Sequence, residues 1–426
     1  MSSITTILAS QQATSAWQED FYKHLHAHPE LSFQEAETAR LVAEKLQAFG
    51  YEVHGGIGKT GVVGILRNGA GATLLARADM DALPVTEATG LPYASTVQAT
   101  DAGGNTVGVS HACGHDVHVT CLLGAAELLA GHRDAWSGTY IVLFQPAEEV
   151  AGGAKAMVDD GLARLIPKPD VALAQHVLAF PAGRLGTRIG AVLSAGDSIH
   201  ITLHGKGAHG SMPQSSVDPV VLAALIVVRL QTIVSRETQP GEFGVLTIGS
   251  NRAGSKSNII ADRADLLLNL RTYDRNVRSR IIAAIERMVN AECVASGSPQ
   301  PPEFAYYDQY PLTENDAEVT AVVTAAFQQH FGVDWVFDLG RLTASEDFSH
   351  LPDALGTPYT FWGLGGTDPE LYAQAAKAGR IAEDIPVNHS KYYAPVLEPT
   401  LDHGTQAMVV AAMAWLGHEA LKPVSR

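Results

Sequence analysis

The sequence predicts an α/β protein in which a second, smaller unit is inserted into the main domain. Strands and helices alternate up to about residue 186, and this alternation resumes after residue 310. Residues 195–310 instead show the order β-α-β-β-α-β, which is typical of a ferredoxin-like sandwich. We therefore expect an α/β domain formed by 1–194 and 311–426, interrupted by an inserted domain at 195–310.

The strands of the first half are predicted from short apolar segments that have the length of buried strands. These segments are GVVGIL at 61–66, ATLLARADM at 72–80, TYIVLF at 139–144 and DVALAQHV at 170–177. Helices are predicted at 35–49, where Gly50 is a typical C-cap, and at 117–132. A terminal helix is expected through the apolar stretch 407–421.

The inserted region contains two long helical patterns between alternating strands. The strands are DSIHITLHGKG, FGVLTIGSN, ADLLLNLRT and EFAYYDQYP, and the helices are SVDPVVLAALIVVRLQTIVSRE and RNVRSRIIAAIERMVNAECVASG. In the main domain, candidate chemical residues follow several apolar strands, and the carboxyl ends of strands are where open α/β sheets bind ligands.

Composition excludes several classes of protein. The chain has 426 residues with 29 Lys+Arg against 45 Asp+Glu, a net charge of −16, so nucleic acid is not an expected partner. The three cysteines form no disulfide framework, which favours a reducing compartment, and we expect the cytoplasm. About 18 uninterrupted apolar residues are needed to span a membrane, and no such run occurs.

The most distinctive local motif is HACGHDVH at 111–118. Cys113 and His115 lie two residues apart in a glycine-containing turn, and a thiolate with an imidazole suits zinc or a similar divalent ion. A buried cysteine beside a surface histidine is the alternative, and the motif alone does not decide between them.

Carboxylates follow two of the predicted strands. Glu148 and Glu149 are adjacent after Pro146, and no Lys or Arg occurs between residues 134 and 154. One carboxylate near a metal can bind the ion while the other accepts a proton from water. Asp79 and Asp81 follow another strand and share a face if that strand continues. A solvated turn is the alternative for the two glutamates, and an Asx-type turn before Pro84 is the alternative for one of the two aspartates.

Two more histidines complete the candidate set. His176 ends the apolar strand ALAQHV, and His389 lies in VNHS. Alone, the first would be a core histidine and the second a surface histidine. Together with the cysteine, the other histidine and the carboxylates, they form the inventory of a two-metal hydrolase.

Six motifs occur in an order that resembles peptidase family M twenty, the aminoacylase and carboxypeptidase superfamily. They are RADMDALP, HACGHDVH, QPAEE, GKGAHGSMPQSSVDP, SEDF and NHS. The resemblance is greatest to subfamily D, which includes hippurate hydrolases, bacterial N-acyl-amino-acid amidohydrolases and plant indole-acetyl-amino-acid hydrolases. It covers nearly the whole chain and implies a hydrolase that cleaves N-acyl amino acids with a metal-activated water.

The resemblance also implies two divalent metal ions per subunit, which are zinc, manganese or cobalt. Cys113 resembles the ligand that bridges the two ions. His115 and His176 resemble the other ligands of one ion, and Glu149 and His389 resemble those of the second ion.

Further catalytic roles follow from the same resemblance. Glu148 resembles the general base, which takes a proton from water and later passes it to the leaving amine. Asp81 resembles a carboxylate that orients a neighbouring group. Asp79 stands where other branches of the family carry a histidine ligand, so no role is assigned to it, nor to Glu346 and Asp347 in SEDF.

Substrate recognition is expected from the inserted domain. His209 resembles a residue that reaches the active site of the partner subunit and stabilises the oxyanion. Asn258 and Arg271 resemble residues that hold the free carboxylate of the substrate. We therefore expect a homodimer through this domain, a small N-acyl amino acid as substrate, and neither nucleic acid nor a membrane as partner.

Three alternatives remain open at this stage. A metallo-carboxypeptidase or dipeptidase of the same family would use the same site. A metal-free cysteine hydrolase would use Cys113 as nucleophile with His115 or His176 as base, but it leaves Glu148 and Glu149 without a role. A non-catalytic binding protein would keep the fold without the chemistry.

Overall fold

The computed structural model describes residues 3–418. The helices are α1 Ser3–Leu8, α2 Gln11–Ala27, α3 Ala36–Ala48, α4 His115–Gly131, α5 Gly153–Asp159, α6 Leu162–Leu165, α7 Pro219–Thr232, α8 Arg275–Ala295, α9 Ala317–Phe331, α10 His350–Leu355, α11 Pro369–Ala378, α12 Ile381–Asp384 and α13 Thr400–Leu416. The strands are β1 Glu52–Ile57, β2 Gly61–Asn68, β3 Thr73–Asp79, β4 Gln98–Thr100, β5 Thr106–Gly108, β6 Gly138–Gln145, β7 Val171–Pro181, β8 Leu185–Thr187, β9 Gly190–Leu193, β10 Ala195–His204, β11 Ala208–His209, β12 Gly244–Ala253, β13 Ile259–Ile260, β14 Arg263–Thr272, β15 Glu303–Tyr310, β16 Thr313–Asn315, β17 Val336–Asp338 and β18 Tyr359–Thr367.

The chain divides into two compact units. Unit 1 takes the chain up to Val192, then Glu314–Gly340 and the described residues from Asp347 onward. Unit 2 takes Leu193–Thr313 and Arg341–Glu346. The predicted mixed α/β fold is confirmed, and each unit has its own apolar core.

Unit 1 is built on a sheet with the strand order β1-β2-β6-β3-β7-β18-β8-β17. Its central strands β6, β3, β7 and β18 are parallel. Parallel strands have their carboxyl ends at the same edge of the sheet, where ligands bind in folds of this class. Buried apolar residues fill these central strands, as expected for a sheet covered by helices.

Helices α4 and α13 pack against each other and against β3. Almost every residue of α4 is buried, which explains why its sequence is apolar on all sides. The helix begins at His115 rather than at residue 117 as predicted, so that His115 lies in its first turn. The terminal helix α13 ends at Leu416, and residues 419–421 of its predicted range lie outside the described residues.

Unit 2 contains the six predicted strands and helices in order, with the short strands β11 and β13 in addition. Strands β12, β14, β10 and β15 form an antiparallel sheet in that spatial order. Helices α7 and α8 pack against each other and against this sheet. The alternation of buried and half-exposed residues along β14 shows that one face of the sheet is covered and the other is not.

One apolar helix in unit 2 is long enough to cross a membrane by length and composition alone, Pro219–Glu237, which combines α7 with the turn that follows it. Leu222, Ile226 and Leu230 of α7 are buried in the core of unit 2. Other apolar residues of this helix are exposed: Val221 by 55%, Leu225 by 48% and Val228 by 70%. One apolar face of this helix is therefore uncovered by the residues that the structure describes.

Candidate metal centre

The carboxyl edge of the parallel strands carries the predicted polar residues. Asp79 is the last residue of β3, and the pair Glu148–Glu149 follows β6 in a single 3-10 turn. His176 does not end its strand as predicted, because β7 continues to Pro181. It does lie beyond Ala174, the last residue of β7 that pairs with β3, and so reaches the same edge.

The turn before α4 places the cysteine and the first histidine. Gly114 has φ of 81°, and a Cβ at that position would lie 2.4 Å from the Val177 side chain, so only glycine fits. The turn brings ligand atoms of Cys113, His115 and Glu149 within 4.8 Å of one another. Glu149 comes from a distant part of the sequence and meets Cys113 and His115 here, and within residues 3–418 no Lys or Arg forms a salt bridge with these three residues.

Buried His115 and partly buried His176 each present one ring nitrogen to this site. His115 Nδ1 lies 3.2 Å from Asp81 Oδ1, and His176 Nδ1 lies 2.8 Å from the carbonyl oxygen of Val177. A proton on Nδ1 in each ring makes both hydrogen bonds and leaves Nε2 with a lone pair. This arrangement is common for metal-binding histidines, because the partner of Nδ1 fixes the tautomer.

The last segment of the site comes from the loop before α13. His389 Nε2 lies 3.4 Å from Glu149 Oε2, while the backbone N–H of His389 donates to the carbonyl of Ala112 at 2.7 Å. Its neighbour Asn388 donates to the carbonyls of Cys113 and Val177 at 3.2 and 3.0 Å. Asn388 therefore holds together the backbone segments that carry two candidate ligands. We call Cys113, His115, Glu149, His176 and His389 the metal cluster.

Burial opposes protonation of His115, but Asp79, Asp81 and Cys113 raise its pKa well above the usual value, so the carboxylates and the thiol attract positive charge to this site. Burial raises the pKa of the Cys113 thiol well above its usual value, and Glu149 adds to this shift. Burial, with Asp81 and Asp79 nearby, raises the pKa of Glu149 to about 8. Buried His115 Nε2 and Glu149 Oε1 make no hydrogen bond within the described residues. A thiolate, a carboxylate and imidazole nitrogens in this arrangement fit divalent cations such as zinc.

Asp79 is hydrogen-bonded to other side chains but also lies close to the metal cluster: its Oδ2 is 3.5 Å from His115 Nε2, and a ligand atom of Asp79 lies within 4.8 Å of those of His115, His118 and His176. It accepts hydrogen bonds from Arg77 at 2.9 Å and from His118 Nδ1 at 2.5 Å. Burial opposes its ionisation, but Arg77, His115 and His118 together hold the pKa of Asp79 well below its usual value. His118 Nε2 accepts the N–H of Val177 at 2.8 Å, so that neither of its nitrogens faces the metal cluster unpaired.

Asp81 and Glu148 lie beside the cluster. Asp81 bonds His115 through Oδ1, and its Oδ2 accepts the N–H of Glu149 at 3.0 Å and the hydroxyl of Ser32 at 2.7 Å. The side chain of Glu148 is 7% exposed, and its Oε2 lies 4.0 Å from His115 Nε2. Glu148 is thus held next to the predicted ligands at the edge of the sheet.

The predicted substrate residues lie in unit 2. His209 and Asn258 line one groove of about 630 Å³, and the short pair β11–β13 joins their segments. His209 is exposed, with Nδ1 2.7 Å from the hydroxyl of Ser211. Arg271 does not line that groove, and its guanidinium bonds Ser345 and Asn269.

The two acidic residues of SEDF, which carried no predicted role, differ in position. Glu346 is buried in unit 2. Asp347 belongs to unit 1, where its Oδ1 accepts from Gln145 at 2.6 Å and its Oδ2 accepts the N–H of Ala154 at 3.0 Å. Asp347 therefore supports the segment that follows Glu149.

Sequence reasoning missed three residues that organise the site: His118, Asn388 and Glu35. The spacing of three between His115 and His118 on one helix was a usable signal for the first. Asn388 adjoins the predicted ligand His389, but its hydrogen bonds join segments that are far apart in sequence. Glu35 lies over 100 residues from the turn that it contacts at Ala147, and local pattern does not show such a contact.

Known proteins are similar to this chain over most of its length. The family described as Peptidase family M20/M25/M40 matches residues 75–398. Hippurate hydrolase of Campylobacter jejuni is 38% identical over 340 residues, covering 79% of this chain and 85% of the relative. Thermostable carboxypeptidase 2 of Saccharolobus solfataricus is 37% identical over 352 residues, covering 82% and 86%.

A solved structure also matches the fold over nearly the whole chain. The YXEP protein of Bacillus subtilis, described as a dinuclear metal binding peptidase from the M20 family, superposes with a TM-score of 0.74. The two are 26% identical, and the match covers 94% of this chain and 99% of the other.

Proposed function

The chain belongs to peptidase family M20/M25/M40, and on that premise we propose that it hydrolyses the amide bond of N-acyl amino acids with Glu148 as general base. The observation that carries this proposal is the convergence of Cys113, His115 and Glu149 at the carboxyl edge of the sheet, with Glu148 beside them. A hydrolase of this family that acts on amides needs such a site, and hippurate hydrolase is among the relatives.

We assign two divalent cations per subunit to the metal cluster, namely zinc, manganese or cobalt. Cys113, His115, Glu149, His176 and His389 would hold them. When bound, two cations polarise the substrate carbonyl and lower the pKa of a water molecule. The sulfur ligand favours ions that accept soft donors.

The chain's own residues then move the proton. Glu148 lies at the site with its carboxylate nearly buried, and a general base must come within about 3 Å of the proton that it takes. The protonated Glu148 passes this proton to the nitrogen of the leaving amine as the C–N bond breaks. Asp81 keeps His115 in the tautomer that presents Nε2, because it accepts the bond from Nδ1.

Unit 2 supplies substrate recognition in this proposal. Asn258 and Arg271 would hold the free carboxylate of the amino acid, which a guanidinium binds through two parallel hydrogen bonds. That local charge counters the net charge of −16, which otherwise repels an anionic substrate. His209 would stabilise the oxyanion of the partner's active site, and its exposed position is compatible with reaching a second subunit.

A homodimer through unit 2 follows from the same reasoning. The exposed apolar face of α7 and strand β12 at one edge of the sheet are the surfaces that a second copy would cover.

Charged substitutions at Leu225 and Val228 should give a monomer in size-exclusion chromatography with light scattering. Val294→Glu is the matched control, because Val294 is 82% exposed on α8, the other helix of this unit. A monomeric wild-type protein would reject the dimer.

A metallo-carboxypeptidase or dipeptidase is the second candidate, favoured by the relative described as a thermostable carboxypeptidase.

A cysteine hydrolase has one supporting distance, 3.5 Å between Cys113 Sγ and His176 Nε2. Burial opposes a cysteine hydrolase, because it raises the pKa of the Cys113 thiol, whereas a nucleophilic cysteine needs a lowered pKa.

None of the three cysteines forms a disulfide, which fits our proposed location, the cytoplasm.

The test is a substrate panel with metal control. Acetyl, benzoyl, long-chain and indole-acetyl amino acids and simple dipeptides are assayed with manganese, zinc or cobalt, and again after EDTA or phenanthroline. We expect turnover of N-acyl amino acids that chelation abolishes and metal restores. Faster cleavage of dipeptides would favour the peptidase, activity that survives chelation would favour the cysteine hydrolase, and no turnover would favour a binding protein.

A further inference from the structure

The segment that carries Glu148 adopts a backbone conformation that costs free energy. We call residues 146–153 the base turn. Ala147 and Ala151 have φ of 48° and 51°, in the left-handed region that side chains disfavour. Gly153 leaves no space for a side chain, since a Cβ there would lie 1.5 Å from the carbonyl oxygen of Pro146. A turn strained in this way persists only when surrounding groups hold it.

Three buried carboxylates hold the backbone of the base turn from outside. The N–H of Ala147 donates to Glu35 Oε1 at 2.8 Å. The N–H of Glu149 donates to Asp81, and the N–H of Ala154, just after the turn, donates to Asp347, both at 3.0 Å. Of the three, Glu35 bonds the strained residue that directly precedes Glu148.

Glu35 is built into this position. It is fully buried, and its Oε1 also accepts the N–H of Phe33 at 2.9 Å, while Oε2 accepts the hydroxyl of Thr60 at 2.6 Å. Two of these three partners are backbone donors, so an acceptor is required at Oε1. Burial, which removes water from the charged carboxylate, and the nearby Asp81 raise the pKa of Glu35 to about 7.

We propose that Glu35 is a positioning residue that fixes Ala147 and thereby aims the carboxylate of Glu148 at the reacting water. The inference rests on the proposed function, because it takes Glu148 as the general base. Glu35 itself need not touch substrate or metal. A misplacement of about 1 Å in a catalytic group can lower turnover about 100-fold. Loss of the single hydrogen bond between Glu35 and Ala147 is therefore enough to lower kcat.

The experiment compares three variants of the metal-loaded enzyme on the best substrate of the panel. Glu35→Met has similar length but no acceptor, and kcat should fall about 30- to 100-fold with KM changed less than about threefold. Glu35→Gln keeps an amide oxygen for Ala147 and Phe33 and can donate to Thr60, so kcat should recover to within about fivefold of wild type. Thr60→Val is the matched control, because it removes only the hydroxyl bond.

A second readout separates positioning from general stability. Metal content should remain that of wild type in all variants, and hydrogen exchange of peptides covering 145–153 should accelerate in Glu35→Met but not in Glu35→Gln. If Glu35→Met does not fold, Glu35→Ala replaces it, since the smaller side chain lets water reach the two backbone donors.

Two results would overturn the proposal. One is a wild-type kcat in metal-loaded Glu35→Met, and the other is a loss in Glu35→Gln as large as that in Glu35→Met. Failure of the proposed function is a different outcome, because wild-type protein would then cleave no N-acyl amino acid. The exchange measurement still decides in that case whether Glu35 holds the base turn.

Discussion

Two clusters of histidine and carboxylate among the described residues of unit 1 differ in whether their polar atoms are already paired; the metal cluster reaches the surface at His389, whose side chain is 55% exposed. In the metal cluster, His115 Nε2 and Glu149 Oε1 make no hydrogen bond within residues 3–418. In the second cluster, which we call the His26 clamp, His26 bonds Asp116 Oδ2 at 2.6 Å and Glu87 Oε1 at 3.1 Å through its two ring nitrogens.

The clamp needs no cation because His26 supplies the charge itself. Burial alone would lower the pKa of His26, but its bonds to Asp116 and Glu87 raise that pKa to about 10. Histidine and carboxylate side chains therefore serve two purposes at the start of α4. His115 belongs to the metal cluster, and the next residue, Asp116, belongs to the His26 clamp. A buried cluster whose donors and acceptors are complete stabilises the fold, whereas one with unpaired ligand atoms fits a metal site.

The largest expected effect is on turnover in the metal cluster. Glu148→Gln removes the base but not a predicted ligand, so kcat should fall about 10⁴-fold. Metal content by mass spectrometry and the melting temperature should match wild type. Retention of more than about a tenth of wild-type kcat would reject Glu148 as the base.

Breaking the clamp should affect stability instead. His26→Gln leaves the carboxylates of Asp116 and Glu87 without their cation, which costs about 3 kcal/mol at neutral pH. Urea unfolding measures this loss, and metal content should not change. If the variant lost metal at full stability, the clamp would belong to the metal site and the comparison would fail.

Removing a ligand should weaken metal binding with less effect on the fold. Cys113→Ser is expected to lower metal affinity at least about 100-fold, because loss of an outer partner alone costs about 10- to 100-fold. Cys121→Ser is the matched control, since Cys121 is also buried and unpaired but lies on α4 away from the cluster. Equal metal affinity in the two variants would remove Cys113 from the ligand set.

The smallest effect concerns pH. The pKa of His26 is raised from 6.5 to about 10 on folding, so its stabilisation is complete below about pH 6.5 and is lost as pH rises through 10. The stability difference between wild type and His26→Gln should therefore shrink between pH 7 and 10, by at most about 1.4 kcal/mol per pH unit. A difference that is constant with pH would show that His26 is neutral in the fold.

Sequence patterns were sufficient for the parts of the fold that repeat locally. Strands such as β6 and β14 and helices such as α8 follow from apolar runs and periodicity, and the strand order of unit 2 follows from the order of its elements. The start of α4 was placed two residues late, because the turn conformation of Gly114 is not encoded as periodicity. The end of β7 was missed because its pairing with β18 continues beyond His176.

The site was less accessible from sequence alone. The candidate ligands could be named because their motifs are compact and resemble a known family. Glu35, Asn388 and the His26 clamp could not be found, because each acts through hydrogen bonds to residues 60 or more positions away. Such contacts exist only once the sheet and helices have brought distant segments together.

The most direct test of the two-metal site is anomalous X-ray diffraction at the manganese edge, on crystals grown with manganese. The account predicts two peaks about 3.5–4 Å apart among Cys113, His115, Glu149, His176 and His389. Peaks located elsewhere, or full occupancy of manganese with none of these five side chains as ligands, would contradict it.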